Sequence, residues 1–106
     1  MRVVVISRPK HRLQPQEMPM LFQGFSAWRE KYRHKMEAFE FFLGGGGFGI
    51  VDVDDTEQLN QMLLENPILF VGETEVTPIL DGDTALAQWG AAIEQMQAQV
   101  GGAAVG

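Results

Sequence analysis

The chain of 106 residues contains no cysteine, which excludes disulfides, thiol catalysis and thiolate metal sites. Its two histidines make a poor metal site without cysteine beside them, so no metal is expected. No apolar run approaches the roughly 18 residues that a membrane span needs, and the run from Val3 to Ile6 is too short for a signal peptide. We therefore expect a cytoplasmic protein with no membrane partner, made of one domain over residues 1–100 and a flexible tail over 101–106.

Basic residues are absent from the last two thirds of the chain. All eight Lys and Arg residues lie within the first 35 positions, whereas twelve of the fourteen acidic residues follow them. One interpretation is that the two parts interleave in the fold and partly neutralise each other; the other is a basic patch that attracts an anionic ligand. Nucleic acid is not an expected partner, because the net charge is −6 and basic residues are not interleaved with exposed aromatics.

Hydrophobic periodicity predicts the order β-α-β-β-α-β followed by a C-terminal helix. This is the ferredoxin-like arrangement of the α+β class. In the first helix an apolar stripe at spacings of three and four predicts a helix from about residue 19 to 37; its members are Leu21, Phe25, Trp28, Tyr32 and Met36. The predicted strands cover residues 2–7, 39–43, 48–53 and 73–80.

Side chains that cap helices mark where the later helices begin. Asp54 or Asp55 is expected to cap the second helix, with Gln58 completing a loose capping box. Asp83 is expected to cap the last helix, and Pro78 places the fourth strand at a sheet edge or the strand at its end.

The strands are apolar on both faces. Val3 and Val5 alternate with Val4 and Ile6, so a second sheet face needs cover after the helices have covered the first. Two sheets packed face to face in a homodimer supply that cover and give a dimeric α/β barrel. In the alternative, the C-terminal helix folds back over the face, and the two arrangements coexist if that helix docks on the partner.

Four consecutive glycines, residues 44–47, stand between two apolar runs. A phosphate-binding loop is not expected, because no Lys follows and the next run is a strand rather than a helix. The flanking strands instead predict a hairpin with glycine turns. A sharper hypothesis adds a pocket beside it, because glycine leaves room where a ligand comes close.

The second half of the chain contains a set of segments in a recognisable order: Val51-Asp52-Val53, Leu59, Pro67-Ile68-Leu69 and Glu75-Val76-Thr77-Pro78. With these segments the chain resembles the muconolactone isomerase family over about residues 48–80, with a weaker helical match over 20–38. The resemblance implies a ferredoxin-like dimeric α/β barrel, often assembled further. It also implies an enzyme that shifts a double bond in a small unsaturated lactone carboxylate without a metal or an organic cofactor. In place of that family's polar run with His, Trp and Arg, this chain has FEFFLGGGGFG.

The candidate site residues follow from these patterns. A carboxylate on an apolar strand can act as a base, and the catalytic candidates are Glu40 and Asp52. A basic loop can hold an anion, and an aromatic stripe beside glycines can line a pocket. The candidates for ligand binding are Arg8, His11, Arg12, Trp28, Tyr32, Phe41, Gly45 and Gly46.

Three hypotheses about function follow. The first is a cofactor-independent isomerase-like enzyme acting on a small, mainly apolar carboxylate or carbonyl compound, with a cofactor-independent monooxygenase as a weaker variant. The second is a homodimer that binds a hydrophobic small molecule or a fatty acid without catalysis. The third is an oligomeric domain without a small ligand, which a cavity below about 100 Å³ favours.

Overall fold

The computed structural model describes residues 1–105, with side chains as far as residue 100. Its elements in chain order are β1 (Arg2–Pro9), α1 (Met18–Tyr32), β2 (Met36–Phe41), β3 (Gly47–Asp52), α2 (Thr56–Glu65), β4 (Gly72–Pro78) and α3 (Gly82–Val105), with 3₁₀ turns at Arg33–Lys35 and Pro67–Phe70. This order confirms the predicted ferredoxin-like α+β fold. The predicted tail over 101–106 falls outside the residues with described side chains, and its flexibility stays a prediction.

The four strands form one antiparallel sheet in the order β2-β3-β1-β4. Val3 of β1 lies opposite Val51 of β3 on one side and Pro78 of β4 on the other. Pro78, which has no N–H to donate, stands at the end of an edge strand, as the sequence predicts.

The first helix ends earlier than its apolar stripe predicts. α1 stops at Tyr32, and a single 3₁₀ turn connects it to Met36, which starts β2 and pairs with Val51. The prediction that the helix reaches Glu37 is therefore wrong. Met36 packs against the same core as Tyr32, so it continues the four-residue spacing while belonging to a strand.

Capping side chains fix the starts of α2 and α3. The Asp55 carboxylate accepts the backbone N–H of Gln58 at 2.8 Å, and the Gln58 side chain accepts the N–H of Asp54 at 2.8 Å. This confirms the predicted cap of α2. The predicted cap of α3 is wrong: Asp81 rather than Asp83 accepts the Thr84 N–H, at 3.0 Å, because α3 has already begun at residue 82.

The core lies between α1, α2 and one face of the sheet. Its buried residues come from strands and helices alike: Val3, Tyr32, Val51, Val53 and Met62. Val3 is fully buried and Met62 is 2% exposed. This end of the sheet is thus closed by packing, and it anchors the elements that shape the site.

In the part of the chain that the structure describes, no other element covers the opposite sheet face or α3. Strand alternation places Val4 and Ile6 of β1 on that face, opposite Ile50 and Phe48. α3 extends away from the sheet, so that the molecule measures 72 × 28 × 21 Å. The alternative in which the C-terminal helix folds over this face is therefore not what the structure shows. Over residues 1–105, no helix combines the length and the apolar character needed to cross a membrane.

Candidate functional site

A cavity of about 800 Å³ opens between α1 and the covered sheet face, at the end of the sheet away from the packed core. The N-terminal half of α1, the glycine hairpin, the loop after β1 and the 3₁₀ turn after α2 contribute its walls. The strand floor includes Gly47 and Gly49, which lie opposite Ser7 and Val5 of β1. Because these glycines project no side chain into the layer, the sheet and α1 leave space between them.

The four glycines form the hairpin that the sequence predicts. The Phe42 N–H donates to the Gly46 carbonyl at 2.9 Å, and the Gly45 N–H donates to the Phe42 carbonyl at 3.3 Å. Gly44, Gly45 and Gly46 all have positive φ, which side chains disfavour. At Gly46 a Cβ atom would also lie 2.5 Å from the Ser7 carbonyl oxygen. The hairpin therefore requires glycine for its turn and for its contact with β1.

Aromatic side chains form most of the cavity wall. The Phe25 ring stacks on Trp28 at 5.5 Å and on Phe39 at 5.8 Å between centroids, and it lies 6.3 Å from Phe41. The Trp28 indole N–H is already used, because it donates to the Met62 carbonyl at 2.9 Å. These rings offer π faces and apolar edges to a ligand, as ligand pockets commonly do.

Charged groups lie at the cavity margin rather than in its interior. Arg8, His11 and Arg12 belong to the end of β1 and the following loop, and all three are exposed. The Arg8 guanidinium lies 4.8 Å above the centre of the Phe42 ring. Within residues 1–105, no cluster of three or more His, Asp or Glu side chains is placed to hold a metal.

Glu40 lies at the same margin. It stands on β2 between Phe39 and Phe41, and strand alternation turns it toward the face opposite α1. Its side chain is exposed. The Glu40 carboxylate therefore lies at the cavity margin and not among the stacked aromatic rings.

As far as the structure describes the chain, the basic residues at the end of β1 and in the loop after it are not neutralised by ion pairs. Elsewhere, basic residues of the first third pair with later acids: Arg2 with Glu37, Lys31 with Glu65 and Lys35 with Asp54. In the described part of the chain, Arg8, Lys10 and Arg12 form no such pair within 4.0 Å. The two parts of the chain thus interleave, and a basic margin is left beside the cavity.

Two of the predicted site residues lie outside the cavity wall. Asp52 is exposed at the end of β3, where its carboxylate is 3.4 Å from the amino group of Met1. Tyr32 is buried in the packed core, and its hydroxyl donates to the Glu65 carboxylate. The other predicted residues all line the cavity: Arg8, His11, Arg12, Trp28, Glu40, Phe41, Gly45 and Gly46.

The pair of Tyr32 and Glu65 joins α1 to the end of α2. The Tyr32 hydroxyl and then the Lys31 ammonium lower the pKa of Glu65 to about 2. Burial, and then the hydrogen bond to Glu65, raise the pKa of Tyr32. This strong pair holds the two helices together at the packed end of the sheet.

Asn66 lines the cavity but was not among the predicted site residues. It is 7% exposed, and it is the buried polar side chain of the described part. Its Oδ1 accepts the Ile68 N–H at 3.0 Å, its own N–H donates to the Leu63 carbonyl at 3.2 Å, and its carbonyl accepts the Leu69 N–H at 3.0 Å. The sequence signalled only a helix stop before Pro67, because the direction of the side chain depends on tertiary packing.

Comparison with known proteins places this geometry in a structural context. The sequence matches no protein-family model, and no curated protein matches it. Several solved structures share its fold, among them the following two. Muconolactone isomerase superposes with a TM-score of 0.67 at 16% identity, covering 76% of this chain and 90% of that one.

The second structure is 5-chloro-2-hydroxyhydroquinone dehydrochlorinase (TftG) from Burkholderia phenoliruptrix, in complex with 2,5-dihydroxybenzoquinone. It superposes with a TM-score of 0.65 at 15% identity, over 79% of this chain and 98% of that one. The structural comparison therefore confirms, at the level of the fold, the resemblance to muconolactone isomerase that residues 48–80 indicate.

Proposed function

We propose that the protein acts as a cofactor-independent, isomerase-like enzyme on a small, mainly apolar molecule that carries a carbonyl or carboxylate oxygen. The observation that carries this proposal is the aromatic cavity of about 800 Å³ with basic groups at its margin. Its volume lies within the range of about 300–1,000 Å³ that is typical of ligand pockets. It argues against the hypothesis of a domain without a small ligand.

The two proteins of similar fold support the proposed class of molecule by analogy alone. Both are named for small oxygenated ring compounds, a lactone and a chlorinated hydroxyhydroquinone, and one of the structures holds 2,5-dihydroxybenzoquinone. A flat unsaturated ring of this kind suits a wall of stacked aromatic side chains.

In this proposal, several residues of the cavity bind the molecule and one residue transfers the proton. Phe25, Trp28 and Phe39 hold the ring, while Arg8 and Arg12 attract an oxygen anion at the margin. Glu40 is the proposed base for a carbon of the molecule that reaches the margin: it takes a proton from this carbon, next to the carbonyl, and returns it to another carbon, so that the double bond moves and no atom is gained or lost.

Turnover of a panel of small unsaturated lactones and hydroxyquinones, muconolactone included, tests this proposal. Glu40→Gln is expected to abolish turnover while leaving the folded state intact. Glu75→Gln is the matched control, because Glu75 is an exposed glutamate on β4 outside the cavity. Loss of activity in Asp52→Asn rather than in Glu40→Gln would move the base to the end of β3, and full activity in both would refute this mechanism.

The position of the charged groups favours a second candidate, a binding protein without catalysis. Ionisable side chains of the cavity lie at its margin, so the interior offers binding surface and no base. Saturable binding of a hydrophobic compound or a fatty acid, together with no turnover of any member of the panel, is the expected behaviour of this alternative.

We also propose that the protein works as a homodimer in which α3 covers a second copy. Its apolar stripe is unpartnered in one chain, with Leu86 60%, Trp89 65% and Met96 64% exposed. The face of the sheet that α1 and α2 leave open carries the apolar residues Val4 and Ile6. Two unpartnered apolar surfaces on the same molecule suit association of identical copies.

The native mass spectrum of the purified protein tests this assembly. A dimer or a multiple of it is expected, and Trp89→Asp is expected to shift the mass toward the monomer. Gln95→Asp is the matched control, because Gln95 lies on α3 away from the apolar stripe. A wild-type protein that is monomeric at micromolar concentration contradicts the proposal.

A further inference from the structure

We infer that the side-chain amide of Asn66 is the hydrogen-bond donor that orients the ligand's acceptor oxygen inside the cavity. The inference rests on the proposed function, because it assigns a polar contact within the same cavity. The ligand class that it specifies is an unsaturated or aromatic ring bearing a carbonyl, carboxylate or phenolate oxygen.

The orientation of the amide is fixed by its neighbours. Only an oxygen can accept the Ile68 N–H, so the 3.0 Å bond assigns Oδ1 to that side and Nδ2 to the other. The backbone on both sides of the side chain is held by bonds to Leu63 and Leu69. The donor is thus presented in one direction before any ligand arrives, which reduces the entropy lost on binding.

The amide nitrogen of Asn66 has no hydrogen-bond partner among the described residues. Within the part of the chain that the structure describes, Nδ2 of Asn66 donates to no protein acceptor, although the residue is 7% exposed. No fully enclosed side-chain nitrogen or oxygen there lacks a partner, so Nδ2 keeps an accessible surface, and the residue borders the cavity. A donor left open in an apolar wall favours a ligand oxygen that satisfies it.

The Asn66 amide differs from the other polar side chains of the cavity interior, because those already have hydrogen-bond partners. The Trp28 indole N–H is occupied by the Met62 carbonyl, and the Ser7 hydroxyl faces the Thr74 hydroxyl at 3.3 Å. The arginines stand at the margin. Asn66 is therefore the group that discriminates an oxygenated ring from a hydrocarbon of the same size, since a site built around a donor rejects ligands that leave it unpaired.

The test compares three probes: 2,5-dihydroxybenzoquinone, benzoate and toluene, which has no acceptor oxygen. Their binding is followed by ¹H–¹⁵N NMR through the Trp28 indole signal. Asn66→Asp and Asn66→Ser keep an oxygen for the Ile68 N–H and remove the amide donor. Asn66→Ser is expected to weaken binding of the oxygenated probes about ten-fold, the effect of one hydrogen bond. Asn66→Asp, which also adds a negative charge, is expected to weaken it further. Both are expected to leave toluene unchanged.

The controls separate a binding role from a structural one. Asn60→Asp is matched to Asn66→Asp, since Asn60 is exposed on α2, and is expected to bind all probes as wild type does. Triple-resonance spectra of the wild type distinguish the Asn66 side-chain amide from that of Asn60 and from those of the nine glutamines. In the wild type, the Asn66 amide is expected to shift saturably with the oxygenated probes and not with toluene.

Each outcome decides between the two proposals. If no probe shifts the Trp28 signal, the cavity is not a ligand site and the proposed function fails together with this inference. If the Trp28 signal shifts but the Asn66 amide does not, only the inference is overturned. That wild-type measurement decides the matter even where the Asn66 variants fail to fold.

Discussion

The layer between the helices and the sheet carries large apolar side chains at both of its ends. These side chains are buried at the packed end and exposed at the cavity end. At the packed end, Val3 and Met62 are 0% and 2% exposed. At the cavity end, Phe22 and Phe41 are 72% and 70% exposed, although the same helix and the same sheet lie beside them. At the packed end, burial of the apolar surface stabilises the fold. At the cavity end, the apolar surface remains exposed and can contact a ligand.

This contrast has a simple cause in the strands. β1 and β3 place Val3 opposite Val51 at the packed end and Val5 opposite Gly49 toward the cavity end. Valine pairs fill the space under the helices, and glycine leaves it open. An apolar surface left exposed in this way is typical of a binding site rather than of a folding core.

Truncation of one apolar side chain at each end is expected to give the largest contrast. Met62→Ala removes a fully packed side chain and should lower the free energy of unfolding by about 2–5 kcal/mol. Phe22→Ala removes an exposed one and should change it by no more than about 0.5 kcal/mol. Urea denaturation of both variants measures the difference, and similar losses would show that the cavity end is packed in solution.

Two alanine substitutions in the hairpin test whether the shape of the cavity end depends on glycine. Gly46→Ala should cost more than about 2 kcal/mol, because its Cβ meets the Ser7 carbonyl at 2.5 Å in addition to an unfavourable positive φ. Gly44→Ala has the positive φ but nothing within 4 Å, so it should cost about 1 kcal/mol. Equal thermal stabilities for the two variants would contradict the described contact between the hairpin and β1.

The bond between Tyr32 and Glu65 should make the packed end sensitive to acid. The pKa of Glu65 falls from 4.5 to about 2 on folding, so its contribution to stability is present above pH 4.5 and is lost as the pH falls toward 2. Tyr32→Phe should cost about 1 kcal/mol at pH 7. It should also flatten the decline in stability between pH 4.5 and 2. Chemical denaturation at several pH values checks this, and a decline as steep as in the wild type would assign the acid sensitivity elsewhere.

The smallest expected effect on folding is at the basic margin. Arg12→Gln alters an exposed side chain and should leave the free energy of unfolding within about 0.5 kcal/mol. It should weaken benzoate binding a few-fold at low salt, and added salt should remove the difference. An unchanged affinity for benzoate at low salt would show that the margin does not attract anions.

The fold could be predicted largely from local patterns. The alternation in β1, the capping pair of Asp55 and Gln58, and the glycines between two strands each depend on neighbours in the chain, and the structure confirms them. The end of α1 could not be placed, because Met36 continues the spacing of Tyr32 while it pairs with Val51, a contact between residues far apart in the sequence.

The residues of the site could be predicted from the sequence only in part. Trp28 and Tyr32 share one helical stripe, yet Trp28 borders the cavity and Tyr32 lies in the core, because Tyr32 is one helical turn further toward the packed end. Asn66 signalled only a helix stop, since nothing local indicates that this residue borders a cavity. Such assignments depend on how the turn after α2 packs beside α1, which the sequence pattern does not encode.

The two tryptophans allow binding of a small oxygenated ring at the cavity end to be tested in one spectrum. Trp28 borders the cavity, whereas Trp89 lies on α3 and serves as an internal reference. In a ¹H–¹⁵N titration with 2,5-dihydroxybenzoquinone or benzoate, we expect a saturable shift of the Trp28 indole signal and no shift of the Trp89 signal. An unchanged Trp28 signal, or equal unsaturable shifts of both, would contradict binding at the cavity end.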